Sequence, residues 1–158
     1  MWLSRRLFIA LPLVLAACGF APVYAPQGAG ARLHGNVAVT APVTRDAYLL
    51  TQRLEERLGR SASGAFILDV DISVTQEGLA VDQKGNTTRY TLLGEARYSL
   101  TDTAVGTVAT SGTVQNFTGY SATGTTVATL AAEKDAQKRL MIILADQIVT
   151  RLHSIPAP

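Results

Sequence analysis

The hydrophobic positions of this chain change period several times, and each change marks an element. The clearest run is Phe66 to Thr75, where Phe66, Leu68, Val70, Ile72 and Val74 alternate with Ile67, Asp69, Asp71, Ser73 and Thr75. A period of two with one apolar and one polar face predicts a strand half-buried against a core. Gly85-Asn86 follows as a turn signal. A second strand is predicted from about Thr88 to Leu100, with Tyr90, Leu92, Ala96, Tyr98 and Leu100 on one face. Arg89, Thr91, Glu95 and Arg97 share its other face. Asp102 to Gly106 reads as the next turn, and the Thr- and Val-rich stretch Gly106 to Thr118 as another strand. Val37-Ala38-Val39, stopped by Pro42, predicts a short strand ahead of all three.

Two stretches have helical spacing instead. From Asp46 to Leu58, Ala47, Leu50, Leu54 and Leu58 fall on one face, with Arg53, Glu56 and Arg57 on the other. Asp46 is the expected N-cap and Gly59 the expected C′ residue. From Val127 to Leu152 an apolar stripe is expected at Leu130, Leu140, Ile143, Leu144, Ile148 and Leu152. Asp135 and Arg139 stand four apart with the acid first, the favourable order, and Pro156 stops the helix. Gly119 to Thr126 reads as a Gly/Ser/Thr loop around Tyr120. The element order β-α-β-β-β-α predicts an α+β fold, with two helices packed on one face of a four-stranded, mostly antiparallel sheet. The other sheet face is left polar.

The first residues carry a different signal. Arg5 and Arg6 precede an apolar run, Leu7 to Val14, and then Leu15-Ala16-Ala17-Cys18. A basic pair, a short apolar stretch and small residues before a cysteine describe a bacterial lipoprotein signal peptide. The run is too short for a spanning helix, which needs about 20 apolar residues, and Pro12 interrupts it. Cys18 is the only cysteine and has no intrachain disulfide partner, and the resemblance to bacterial lipoproteins implies a covalent lipid on its thiol and its new amine. Residues 1–17 are then a leader, 18–35 a lipidated N-terminus and tether, and 36–158 a single domain. The tether, with Pro22, Pro26 and Gly28-Ala29-Gly30, is expected to have little regular structure.

Composition narrows the function. Without Arg5 and Arg6 the 14 basic residues become 12, equal to the 12 acidic ones, so the mature chain is near neutral. No Lys/Arg stripe interleaved with aromatics is present, which argues against nucleic acid as a partner. His34 and His153 sit in no ligand spacing, so neither a metal nor another cofactor is expected beyond the Cys18 lipid. No nucleophile elbow or phosphate-binding loop occurs. Asp69 and Asp71 lie on one strand face about 7 Å apart, within the range of glycosidase carboxylate pairs. A solvated strand face with Arg89 or Arg97 opposite explains them better, and no catalytic residue is assigned. Two features suit a partner instead. One is the polar sheet face with Asp69, Asp71, Glu95 and Arg97, and the other is the turn from Gln83 to Arg89. Its Lys84 and Arg89 are candidate contacts for lipopolysaccharide phosphates.

Three stretches together resemble the LptE family of lipopolysaccharide-assembly lipoproteins, in the form found in alphaproteobacteria. They are Cys18-Gly19-Phe20-Ala21-Pro22-Val23-Tyr24, Lys84-Gly85-Asn86-Thr87-Thr88-Arg89-Tyr90, and the closing helix from Ala131-Ala132-Glu133-Lys134-Asp135-Ala136 to Arg151-Leu152. The resemblance implies two helices on a four-stranded sheet, no enzymatic activity, and a complex with the outer-membrane barrel LptD. It implies that the protein plugs this barrel from the periplasmic side, helps it fold and assists lipopolysaccharide delivery to the outer leaflet. Gly19 rather than Asp after the cysteine implies an outer-membrane location. The alternative is a free-standing periplasmic binding or inhibitor lipoprotein of the same fold. Replacing the lone thiol separates a lipid anchor from an ordinary secreted protein. Cys18→Ala is expected to abolish incorporation of radiolabelled palmitate in cells and to leave the leader uncleaved on an immunoblot.

Overall fold

The structure, a computed structural model, describes residues 28–154, so Cys18, the leader and Pro156 lie outside the described residues. The elements run α1 (Ala29–Leu33), β1 (Val37–Val39), α2 (Arg45–Leu58), β2 (Phe66–Val81), β3 (Thr87–Asp102), β4 (Thr107–Ser121) and α3 (Thr126–His153). One four-stranded sheet has the order β1-β2-β3-β4. β1 is parallel to β2, and the other two pairings are antiparallel. This is the expected α+β fold, with α1 added to it. The tether was expected to lack regular structure, but its end forms this short helix, and Leu33 is buried in the core. That burial holds the turn in place.

The alternation read from the sequence sets the layers. In β2, β3 and β4 the even-numbered positions face the helices: Leu68, Leu92, Ala96, Leu100 and Val114 are all buried. α2 lies over β1 and β2, α3 lies over β3 and β4, and the two helices pack against each other. Leu50, Leu54 and Leu58 of α2 meet Leu140, Leu144, Ile148 and Leu152 of α3 in one core. Each fully buried leucine contributes roughly 1.5–3 kcal/mol through area removed from water. At the rim of that contact Arg53 reaches Asp146 with two hydrogen bonds, Nε to Oδ1 at 3.0 Å and Nη2 to Oδ2 at 3.1 Å. Both side chains are partly solvated, so this fork fixes the helix pair's register more than it stabilises it. Gly94 marks where α3 comes closest to the sheet: a Cβ there would lie 2.9 Å from Leu140 Cδ2 and 3.0 Å from Leu144 Cδ1.

Several boundaries differ from the sequence expectation. Thr44, not Asp46, caps α2: its Oγ1 accepts from the Ala47 N–H at 3.1 Å. Asp46 instead sits in the first turn, where its charge complements the helix dipole. β2 runs to Val81 rather than Thr75, through a bulge between Gly78 and Ala80, because β3 pairs with it along that whole length. β4 runs to Ser121, so Tyr120 is a strand residue and not the centre of a loop. Its ring is buried and stacked on its register partner Tyr90, at a centroid distance of 5.3 Å. Gly119 and Ser121 look like loop residues locally, but cross-strand packing overrides that preference. In α3 the buried set is Ala136, Leu140, Met141, Leu144, Ala145, Ile148, Val149 and Leu152. Leu130, expected in the stripe, is 49% exposed, and Ile143 is only half-buried. No residue from Thr126 to Asp135 is buried, so Leu130 stands before the first turn that meets the core.

Removing core volume at the helix–helix seam should be costly, and adding volume at the closest approach should also be costly. Leu144→Ala is expected to lower unfolding free energy by about 2–5 kcal/mol. Gly94→Val should lower it by about 1–3 kcal/mol, both read from urea unfolding followed by circular dichroism.

Candidate functional site

Between the bulges, odd-numbered positions of the three long strands form the outer sheet face, which no helix among the described residues covers. Asp69 stands opposite Ser99, Asp71 opposite Arg97, and Ser73 opposite Glu95. The four residues expected to form a partner face, Asp69, Asp71, Glu95 and Arg97, therefore do share it. Glu95 is bound on two sides. Gln115 Nε2 donates to its Oε2, and Arg97 Nη2 lies 2.6 Å from its Oε1. The Gln115 hydrogen bond first, and the Arg97 charge after it, hold the Glu95 carboxyl below the usual carboxylate range. Asp69 and Asp71 have no ion-pair partner among the described residues. Both are exposed, and both border the groove between β2 and the β1–α2 connection.

The outer face is not wholly polar. Leu93 and Phe117 are register partners on it, and Phe117 is 66% exposed. Together with Ser73, Thr75, Glu77, Glu95 and Gln115 they line a shallow depression. The sequence reading missed this pair. Their odd-numbered parity was the available signal, since it puts both opposite Leu92 and the helices.

Lys84 and Arg89 lie at the far end of the β2–β3 hairpin. The turn is built by Asp82. Its Oδ1 accepts from the backbone N–H of Lys84 at 2.8 Å and of Asn86 at 2.9 Å. Its Oδ2 accepts from Asn86 Nδ2 at 3.0 Å. Gly85 takes the left-handed backbone this requires, with φ +83. These bonds, the Asn86 side chain above all, hold the Asp82 carboxyl below its usual range. Lys84 projects from the turn. Arg89 sits on the outer face of β3, opposite Ser121 of β4. Neither cation has an ion-pair partner among the described residues. Beside them the extended end of β2 exposes Leu79 and Val81, 66% and 67% accessible. Val127 and Leu130, in the first turns of α3, are exposed just beyond the end of β4. Cationic and aliphatic groups thus occupy the same end of the sheet. Leu79 and Val81 were missed because the strand was expected to end at Thr75, and Gln76-Glu77-Gly78 hid the return of the alternation. His34 and His153 are not brought into a ligand cluster, and no three His, Cys, Asp or Glu side chains converge among the described residues.

Residues 35–152 match the family model LptE, described as lipopolysaccharide-assembly. No curated protein sequence matches the chain. Several solved structures share the fold. A putative lipoprotein from Caulobacter crescentus CB15 superposes with a TM-score of 0.67 at 20% identity, covering 82% of this chain and 96% of that one. The rare lipoprotein B from Shewanella oneidensis gives 0.58 at 18% identity, covering 75% and 92%. A minor lipoprotein from Acinetobacter baumannii gives 0.56 at 16% identity, covering 75% and 88%.

The Asp82 cage has a definite pH signature. Because its folded pKa is depressed, the carboxylate's hold on the turn is complete above the unfolded-state value and is lost as pH falls through the lower folded value. The amide NMR signals of Lys84 and Asn86 should titrate together below the ordinary carboxylate range. Asp82→Ala should abolish that step and leave the amides of the α2–α3 core unchanged.

Proposed function

The chain belongs to the LptE family of lipopolysaccharide-assembly proteins, and we propose that it is an outer-membrane lipoprotein that seats inside the LptD barrel. The observation that carries this reading is the one-sided domain. α2 and α3 cover one sheet face, and the other carries mostly charged and polar side chains over three long strands. A plug must offer such a surface, because the lumen of an outer-membrane barrel is polar.

In this reading the Cys18 lipid holds the protein at the periplasmic leaflet, where two or more acyl chains give a stable anchor. The tether lets the domain reach the barrel, and the outer face with Asp69, Asp71, Glu95 and Arg97 meets its lining. The protein acts by binding: it scaffolds barrel folding and assists lipopolysaccharide passage, and it carries out no chemical step. Lys84 and Arg89 provide charge-assisted contacts for lipopolysaccharide phosphates, while Leu79 and Val81 lie beside acyl chains. No helix among the described residues is long and apolar enough to cross a membrane.

Affinity purification of the tagged full-length protein from detergent-extracted outer membrane is expected to bring down a large barrel in stoichiometric amount. Recovery of the protein alone in mild detergent, with the tag accessible, would overturn the plug and favour the free-standing lipoprotein. Lys84→Glu/Arg89→Glu should keep the barrel and weaken lipopolysaccharide binding several-fold, measured on the purified complex. Unchanged lipopolysaccharide affinity would remove the tip from the mechanism.

A further inference from the structure

The two edges of the sheet are treated differently. On the β4 edge, Asn116 Oδ1 accepts from the Phe117 N–H at 2.8 Å, and Arg139 Nη2 donates to the Gly119 carbonyl at 3.2 Å. These side chains occupy two of the outward main-chain groups of β4, while Ser111, Thr113 and Gln115 keep theirs open among the described residues. On the opposite edge β1 covers only Phe66 to Leu68 of β2. The Phe66 N–H donates to the Asn36 carbonyl, and the Leu68 carbonyl accepts from the Thr40 N–H. Even-numbered residues of β2 therefore turn their main-chain groups away from β3. Beyond β1, Val70, Ile72, Val74 and Gln76 aim N–H and C=O groups at an edge where no described strand lies. No side chain among the described residues is hydrogen-bonded to these four. An open row of donors and acceptors is a template for another strand.

The surroundings of this edge state what that strand must be. On the helix side a groove separates the edge from the β1–α2 connection. Val39, Pro42, Leu50, Val70 and Ile72 give it an aliphatic lining, to which threonines and the strand positions of Asp69 and Asp71 also contribute, so it takes aliphatic side chains beside cationic ones. On the outer side stand Asp69 and Asp71. Arg97 lies opposite Asp71, but it is paired with Glu95. Successive side chains of an added strand would point alternately into the apolar groove and toward the two carboxylates. We propose that the β2 edge from Val70 to Gln76 binds an extended segment of a partner protein in which Lys or Arg alternates with aliphatic residues. Main-chain hydrogen bonds would provide the affinity, and the groove and carboxylates the selection.

Charge complementarity decides among the occupants. A second copy pairing through the same edge would set Asp69 and Asp71 against their own like charges. The chain's own segment from Gly19 to Gln27 has two prolines and no Lys or Arg, so it neither completes the ladder nor meets the carboxylates. The inference stands apart from the barrel reading, since it fixes the chemistry of a strand and not the protein that supplies it.

The test uses the full-length lipidated protein in non-ionic detergent and a short fluorescent peptide alternating Lys and Val. A peptide of the same composition, with its lysines and valines in separate blocks, is the control. The alternating peptide is expected to bind by fluorescence anisotropy and to slow hydrogen exchange across Val70 to Gln76, leaving Ser111 to Gln115 of β4 unchanged. Asp69→Lys/Asp71→Lys, on the exposed face, should weaken binding by about tenfold or more. Ile72→Pro should abolish it, because its N–H points to solvent and edge strands accept proline there. If Ile72→Pro unfolds the protein, the aspartate pair decides. Equal binding of the block peptide would overturn the proposal. So would protection on β4 rather than β2, no loss of affinity in the aspartate variant, or protection of Val70 to Gln76 by self-association without peptide.

Discussion

Everything in this molecule depends on one parity shared by three strands. In β2, β3 and β4 the even-numbered residues face the helices, and the antiparallel registers bring those positions side by side: Leu68 beside Leu100, Leu92 beside Thr118, Ala96 beside Val114. A slip of one residue in any strand would turn its apolar set to water. The hydrophobic effect therefore sets the register as well as the fold. The fully buried leucines of α2 and α3 then have a single surface to cover. Gly94 allows Leu140 and Leu144 to approach that surface closely, and Thr118 is admitted to it because its hydroxyl donates to the Ala136 carbonyl at 3.0 Å.

The same constraint leaves the rest of the molecule available for partners. Two helices of unequal length cannot cover strands of 15 and 16 residues, roughly 50 Å at strand rise. α2 has 14 residues and spans only about 21 Å. From Thr75 to Val81 every β2 residue is exposed, and the hairpin end is held by the Asp82 cage rather than by a core. An order that rests on hydrogen bonds instead of burial suits a segment that must meet something else. The outer face, the hairpin tip and the open β2 edge are three consequences of one sheet covered on one side. Membership of a lipopolysaccharide-assembly family gives that exposure a context.

Much of this was legible in the residues. Strict alternation in β2 and β3 and the 3.6-residue spacing of Leu50, Leu54 and Leu58 depend on local period, which a single sequence displays. The common face of Asp69, Asp71, Glu95 and Arg97 follows from the same arithmetic, as does the turn at Gly85-Asn86. What failed depended on neighbours distant in sequence. Tyr120 looked like a loop residue because Gly119 and Ser121 flank it, and only Tyr90 across the ladder makes it a strand residue. Leu130 matched the helical stripe, but whether a stripe position meets a core depends on where the sheet ends. Asp46 and Thr44 are both good caps, and in the folded chain it is the Thr44 hydroxyl that meets the Ala47 N–H.

The sequence by itself thus determined the kinds of element, their order and the face each buries. These rest on periodicity and short-range chemistry, which need no partner in space. Only the tertiary structure decided how far β2 and β4 extend, which end of α3 is buried, and that the β2 edge beyond β1 is left open. Those outcomes turn on cross-strand hydrogen bonds and on lengths compared between elements. Both are relations between residues far apart in sequence, and the chain folded in three dimensions is what brings those residues together.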